Sequence, residues 1–517
     1  MAKNLDLIIK GNIITVVNQK PRAEAIGIKG EKIVSVGMVK EVEVDAGKAT
    51  KVLDLKCKTI LPGFIDSHAH PMGTGKNRLG VDMSSVNTVK EALEKIREKV
   101  KKTPEGKLVF CPDYNRLHVA EKRYPTRQEL DSVSNKHLIW IQHYDGHNSQ
   151  VNSLIIKMAH FKAGMEGVEL DSNGEVTGLV KDPASPRQLT GGDNFTDKTE
   201  AMEALMLVTK EAASVGITTL FAKEGLENAE FIMKNAKKLP VRIRPMVFPG
   251  FGKATIDEVI NSKLIGDHIT ICNLVDGSHE GRTAAMYEPY TDDPKTLGML
   301  YHTDEALYDF VEKVHKAGCQ ISVHAESDRG IDQILWALEK ALEKYPRKDH
   351  RHRLEHFETV TMKQIKRVAR LGITLGMQPI FIQAAEGPNL EYYRKWIGDE
   401  RVKRTAVYRS ILDEEILVSG GSDTPVTRVN PLGGIHAVVN HPLKEQRIDV
   451  HEAIEMFTIN GAIIGFEEDI KGNIEPGKLA DFAVLSDDPY RVPREKIGNI
   501  KVEMTIVGGN IVYGNEV

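Results

Sequence analysis

The chain is expected to fold as an α/β protein: a (β/α)8 TIM barrel, a small sheet domain built from both chain ends, and a large insertion after the first barrel strand. Three observations predict this. Eight short apolar runs of buried-strand type recur between residues 59 and 423. Amphipathic stretches of helical period lie between most of them, the signature of strand-then-helix units that close a parallel sheet. At both ends the pattern changes to short alternating strands punctuated by Gly, Asn and Lys.

Residues 1–59 read as LDLIIKG, NIITVV, EAIGIKG, KIVSVG and KVLDL, and residues 471–517 return to this pattern with DFAVLS, KVEMTIVGG and NIVYG. These two segments are expected to pair into one small sheet domain. The barrel, 60–470, draws its strands from TILPGFID, GITTLFA, VRIRPMVF, HITICNLVDG, CQISVHAES, HRLEHFE, ITLGMQP and ILVSGGSD. Stretches such as EALYDFVEKVHKAG and TMKQIKRVARLG end in Gly, the usual residue past a helix C-terminus. Between the first two barrel strands the spacing far exceeds an ordinary connection. An insertion of about 75–200 is therefore expected, with its own helix, VKEALEKIREKVKK, and two strands, KLVFCP and HLIWIQH. It is expected to act as a lid or subdomain.

Lys+Arg (69) and Asp+Glu (73) nearly cancel, leaving a net charge of -4 with no tail or arm of one sign. Neither nucleic acid nor a membrane surface is an expected partner. There is no signal-peptide pattern and no apolar run of membrane-spanning length. Four dispersed cysteines without a CxxC fit a reducing compartment, so a cytoplasmic location is expected. The expected partners are a small-molecule substrate and a second copy of the chain, as a homodimer.

The first barrel strand ends in His68-Ala69-His70, and period-two alternation puts both imidazoles on one face. The pair alone is weak evidence, because 18 histidines in 517 residues give roughly 0.6 such pairs by chance. His350 and His352 form a second pair, but in a basic turn, KYPRKDHRHR, before a strand rather than after one. Position separates the two. His324 in ISVHAES and His356 in RLEHFE also close apolar strands, and Asp423 in LVSGGSDTP closes the eighth. Each alone could be a packed strand end or a turn residue, but in a barrel these ends converge on one cavity. Imidazoles with a carboxylate suit a borderline divalent ion, zinc first, with manganese or iron as alternatives. Such an ion activates water, and Asp423 is the expected proton shuttle.

The motifs LPGFIDSHAH, DGHNSQVNS, DGSHEGRTAAMYEPYTDDPKTLG, HAESDRGID, HRLEHFETV, GITLGMQP, GSDTPV and EPGKLADFAVLSDDP span almost the whole chain. Together they resemble the amidohydrolase superfamily, in its YtcJ-like (amidohydrolase-3) branch related to N-substituted formamide deformylases. The resemblance implies that His68, His70, His324 and His356 are ligands and that Asp423 is the catalytic base. It also implies a terminal β-sandwich, His147 as a residue reaching the substrate or its oxyanion, and Arg282 in a substrate loop.

Two departures from the branch bear on the site. The fourth strand usually carries a lysine that bridges two metals as a carbamate, and Cys272 stands there, so one ion per chain is expected, with Cys272 or Glu224 as a replacement ligand. HAESD replaces the more usual HAIGD and sets Glu326 near the cavity mouth as a substrate-selecting residue. Hydrolysis of an amide, cyclic amide or related C–N bond is the expected activity. Lactone opening, cleavage of a cyclic diketone, heterocycle deamination and a non-catalytic metal-binding regulator are the alternatives.

Overall fold

The computed structural model describes residues 4–515 apart from 117, 145, 147, 182–183, 185, 187–197, 253, 263–267 and 384–389. The chain divides into two units, Met1–His70 with Thr209–Val517, and Pro71–Val208. In the first unit, all eight runs read from the sequence are strands of one parallel sheet. They are β1 (Phe64–Ala69), β2 (Ile217–Glu224), β3 (Arg242–Val247), β4 (Thr270–Leu274), β5 (Gln320–Ser327), β6 (Arg353–Thr359), β7 (Thr374–Met377) and β8 (Val418–Gly420), in sequence order across the sheet. Every residue of β1, β2 and β6 is buried, as expected where a parallel sheet is covered on both faces.

Helices follow with the predicted punctuation. Thr303 caps Asp304–Lys316 by accepting from the Ala306 N–H, and Met362–Leu371 starts in a Thr361/Gln364 capping box and stops at Gly372, whose φ of 65° suits glycine. The sheet closes where β8 returns to β1. There the Asp423 N–H donates to the His68 carbonyl at 2.8 Å and the His70 N–H to the Thr424 carbonyl at 2.9 Å. The Asp66 carboxylate accepts from the Ser422 N–H at 3.0 Å across the same seam.

The two chain ends do pair. Their strands form one continuous seven-stranded mixed sheet, in which the 17-residue strand Ala46–Pro62 runs parallel to Leu5–Ile14 and antiparallel to Phe482–Leu485. The β-sandwich implied by the resemblance thus takes the form of a single hydrogen-bonded sheet with Ile9, Ile26, Ile60, Phe482 and Ile506 in its core. The second unit has its own five-stranded sheet, which includes Leu108–Tyr114 and Leu138–His143, and the helix Val89–Val100, matching the elements read in the insertion. His147, assigned to substrate contact from the sequence, lies outside the described residues. No helix among the described residues is long and apolar enough to cross a membrane.

The second His-X-His pair, read as part of a basic turn, is buried. His350 and His352 are buried at the N-terminal end of β6, opposite the strand ends that carry the other histidines. His352 Nδ1 accepts the Ile321 N–H at 3.0 Å, its Nε2–H reaches His315 Nδ1 at 2.8 Å, and His315 Nε2–H donates to the Tyr345 carbonyl at 2.7 Å. His350 Nδ1 accepts the His352 N–H while Nε2–H donates to the Leu371 carbonyl, both at 2.9 Å. The network works only with neutral rings, and burial pulls all three below the usual histidine range.

In the unfolded chain these histidines take up protons near pH 6.5, whereas the fold excludes them, so the stability they confer is present above that pH and lost as pH falls below it. Glu358, which burial raises to about 8, titrates with the opposite sign, so the network is best isolated by difference. His352→Gln is expected to be less stable than wild type at pH 7.5. The gap should narrow by about 1.4 kcal/mol per pH unit below pH 6.5, read by denaturant or thermal unfolding across pH 5.0–7.5. A gap independent of pH would show that the network does not titrate on unfolding.

Candidate metal centre

The chemistry-bearing side chains stand at the C-terminal ends of the strands, where a parallel barrel opens. Alternation along β1 turns His68 and His70 the same way, and the seam with β8 carries Asp423 to them. His68 Nε2 and His70 Nε2 lie 3.2 and 3.1 Å from one oxygen, Oδ1 of Asp423. The other nitrogen of each ring sets its orientation. His68 Nδ1 faces Glu355 Oε2 at 2.8 Å and His70 Nδ1 faces the Lys223 carbonyl at 3.2 Å. Both partners accept, so each Nδ1 carries a proton, and both Nε2 atoms converge on the one Asp423 oxygen.

A second set adjoins the first. The ligand atoms of His324, Glu326 and His356 lie within 4.8 Å of one another, and the His356 ring centroid is 4.3 Å from that of His324 and 4.9 Å from that of His68. His324 Nε2–H donates to the Gly277 carbonyl at 3.0 Å, which leaves its Nδ1 as the lone-pair nitrogen. His356 Nδ1 is buried without a hydrogen-bond partner, a condition that a bound cation relieves. Converging imidazole nitrogens, an orphaned ring nitrogen and carboxylates fit a divalent metal ion.

Electrostatics agree with that use. Burial lowers His324 to about 4 and His356 well below the usual range, so both are neutral, the form that binds metal. Burial alone would raise Asp423, but the imidazoles of His68 and His70 facing it hold its carboxyl well below the usual carboxylate range. The backbone is unusual at the same places: His356, Phe357 and Asp423 have φ of 70°, 53° and 55°, left-handed values that residues with a side chain seldom adopt. A register shift between β5 and β6 accompanies the turn at His356. Such outliers concentrate where a side chain must be aimed.

Below the histidines sits a fully buried charge cluster. Arg353 Nε is 2.6 Å from Glu355 Oε1, Ser322 Oγ donates to the same oxygen at 2.5 Å, and Lys223 Nζ lies 3.9 Å from it. Desolvation opposes the Glu355 charge, yet Arg353, Lys223 and His68 hold the group ionised. Gly376 on β7 makes the space, since a Cβ there would come within 2.3 Å of the Arg353 guanidinium and 2.4 Å of the Glu355 carboxylate.

Other residues singled out from the sequence are placed elsewhere. Cys272 does not join either ligand set; its thiol packs among Ile65, Phe221 and Met246 beside Ser322, and burial raises it to about 11, so it is a protonated core thiol. Glu224 does not join either, because alternation on β2 sends Lys223 inward, and its Oε2 accepts from Asn228 Nδ2 at 3.1 Å. Arg282 is engaged within its own loop, with Nε on Asp292 at 2.8 Å, NH1 on the His279 carbonyl at 2.8 Å and the guanidinium 5.0 Å from the Trp396 ring centre. Glu326 stands with the histidines.

Three contributors were missed in the sequence. Glu355 lies between the noted residues of HRLEH, and its pairing with Arg353 at i and i+2 of an otherwise apolar strand was the available signal. Asp276 accepts from the main-chain N–H of Ala285, Glu326 and Ser327 at 3.0, 3.0 and 3.3 Å, bracing the loop after β4 against the end of β5. In that loop the His279 N–H donates to Glu326 Oε2 at 2.8 Å.

Comparison with known proteins agrees with this architecture. Residues 51–513 match the amidohydrolase family. The chain is 28% identical to YtcJ of Bacillus subtilis (strain 168) over 539 aligned residues, 97% of this chain and 98% of that protein. It is also 28% identical to an N-substituted formamide deformylase of Arthrobacter pascens, over 98% of each. The crystal structure of an uncharacterized metal-dependent hydrolase from Pyrococcus horikoshii OT3 shares the fold, with a TM-score of 0.79 at 22% identity over 94% of this chain and 99% of that one. Sequence match, shared fold and the two ligand sets agree: the chain belongs to the amidohydrolase family and is a metal-dependent hydrolase.

Proposed function

We propose that the chain hydrolyses an amide, cyclic amide or related C–N bond of a small molecule, using zinc. The observation that carries this reading is the single Asp423 oxygen set 3.1–3.2 Å from two imidazole nitrogens, an ionised carboxylate at the ligand set where a proton must be taken up. The amide preference is supported by the near full-length likeness to a protein named as an N-substituted formamide deformylase. A cytoplasmic site of action is supported by four unpaired cysteines, three of them buried.

His68, His70 and Asp423 would hold the ion. When bound, it supplies an activated water and polarises the electrophilic carbon. Asp423 accepts the water's proton and returns it to the leaving nitrogen, work that needs a basic carboxylate beside the reacting atoms. Glu355 acts through His68 as a positioning residue: it fixes the Nδ1–H tautomer and places negative charge behind the ring, strengthening Nε2 as a donor.

Zinc-loaded protein should release formate or the parent acid from members of a panel of N-substituted formamides and small amides; no turnover of any member would overturn the amide reading. On the substrate so found, Asp423→Asn should lower kcat by about 10²- to 10⁴-fold while the histidines retain metal. Near-normal turnover in that variant would remove Asp423 from the mechanism.

Glu355→Gln keeps an acceptor for His68 but not the charge, so zinc affinity should fall by about 10- to 100-fold. It also strands the buried Arg353, at about 3–5 kcal/mol. Adding Arg353→Met should restore thermal stability without restoring zinc affinity. Recovery of both would make the role of Glu355 purely structural.

A further inference from the structure

Two phenylalanines are built into the rim of the metal centre and take no part in activating water. β3 ends at Val247, and the chain then crosses the strand ends through Phe248 and the short 3-10 turn Pro249–Phe251. Main-chain bonds fix this turn. The Phe248 N–H donates to the Glu224 carbonyl at the end of β2 at 2.8 Å, and the Phe251 N–H donates to the Phe248 carbonyl at 3.0 Å. Phe248 packs on the barrel-core cluster of Ile65, Phe221 and Met246. Phe251 stands against it edge to face, with ring centres 4.3 Å apart and planes at 75°. The Phe251 ring centre is also 5.8 Å from that of His70, with the planes tilted by 55°.

A third ring adjoins the other ligand set. Phe381, in the turn Pro379–Ile382 after β7, lies 6.3 Å from the His356 ring with the planes only 20° apart. β3 and β7 are four strands apart in a sheet of eight that closes on itself, so their turns stand on opposite sides of the mouth. The two sides differ in what they leave open: Phe381 is 5% exposed, whereas Phe248 and Phe251 are half-buried. The β3 side therefore keeps aromatic surface open beside a metal-binding imidazole, and apolar surface next to a few convergent polar groups is how small-molecule sites are made. Nearby cations are engaged elsewhere, Lys223 and Arg353 with Glu355 and Arg282 with Asp292, so this wall suits an apolar group better than an acidic one.

We infer that Phe251, backed by Phe248, is a specificity-determining residue that receives a flat apolar group of the substrate, an aryl ring carried close to the scissile bond. Because Phe251 adjoins a ring that would hold the ion, the group it meets belongs next to the reacting carbon rather than at the end of a long chain. The ring can be borne by the acyl carbon or by the nitrogen, and the same stacking surface serves both. The inference rests on the hydrolase reading and adds which neighbour of the bond is preferred.

The test is the affinity of the zinc-loaded, full-length protein for two pairs of metal-chelating probes, measured by isothermal titration calorimetry. Phenylacetohydroxamic acid against acetohydroxamic acid puts the ring on the acyl side. N-benzyl-N-hydroxyformamide against N-methyl-N-hydroxyformamide puts it on the nitrogen side. In at least one pair the aryl member should bind wild type about tenfold or more tightly than its methyl partner, and Phe251→Ala should cut that ratio to about threefold or less. The pair that responds identifies which side of the bond carries the ring. Zinc content and circular dichroism are measured for each variant, and if Phe251→Ala fails to fold, Phe251→Leu, which keeps apolar bulk without the flat face, should lower the same ratio. No aryl preference in either pair, or a preference that survives the substitution, would overturn the inference. Absence of amide turnover would overturn the amide reading and leave these affinities to decide the role of Phe251.

Discussion

The hydrogen bond from the Asp423 main chain to the His68 carbonyl closes the barrel and also sets the geometry of the metal centre. Because β1 and β8 meet at that bond, the Asp423 side chain is carried over the two imidazoles that β1 presents, and a left-handed backbone at Asp423 completes the turn. Gly421 permits the approach, since a Cβ there would lie 2.8 Å from both the His68 main-chain nitrogen and its Cβ. Barrel closure and ligand placement are thus one constraint, and a change that opened the seam would separate the ligands.

Around that seam, buried acids differ according to what faces them. Asp423 and Glu355 keep their charge because imidazole, guanidinium and ammonium groups surround them. Asp66 and Asp276 serve mainly main-chain donors, and burial raises them to about 6 and about 7. The first pair are electrostatic elements of the site, and the second pair are braces that hold strand ends and loops together. Buried ion pairs are weak sources of stability, so the Arg353–Glu355 pair is better understood through what it does to His68 than as a support for the barrel.

Much of this was legible in the sequence. Eight apolar runs named the eight strands, and the positions of His68, His70, His324, His356 and Asp423 at strand ends were enough to gather them. What was not legible depends on which way a side chain turns. The run around His350 and His352 was legible only as a basic turn before a strand, and nothing in it told of the neutral imidazoles that are buried there and satisfy main-chain donors. Glu224 was expected as a replacement ligand, but alternation sends Lys223 inward and Glu224 toward Asn228. Cys272 and Glu326 exchanged significance because the departure at Cys272 drew attention to β4, while the carboxylate beside the histidines stands on β5.

The central claim is that the Asp423, His68 and His70 side chains together hold the ion on which hydrolysis depends. A crystal of the zinc-loaded protein, with diffraction collected on both sides of the zinc absorption edge, tests it most directly. The account predicts an anomalous peak bounded by His68 Nε2, His70 Nε2 and the Asp423 carboxylate, with no zinc–sulfur distance to Cys272. A fully loaded crystal with no peak there, or with its zinc bound to Cys272, would contradict it.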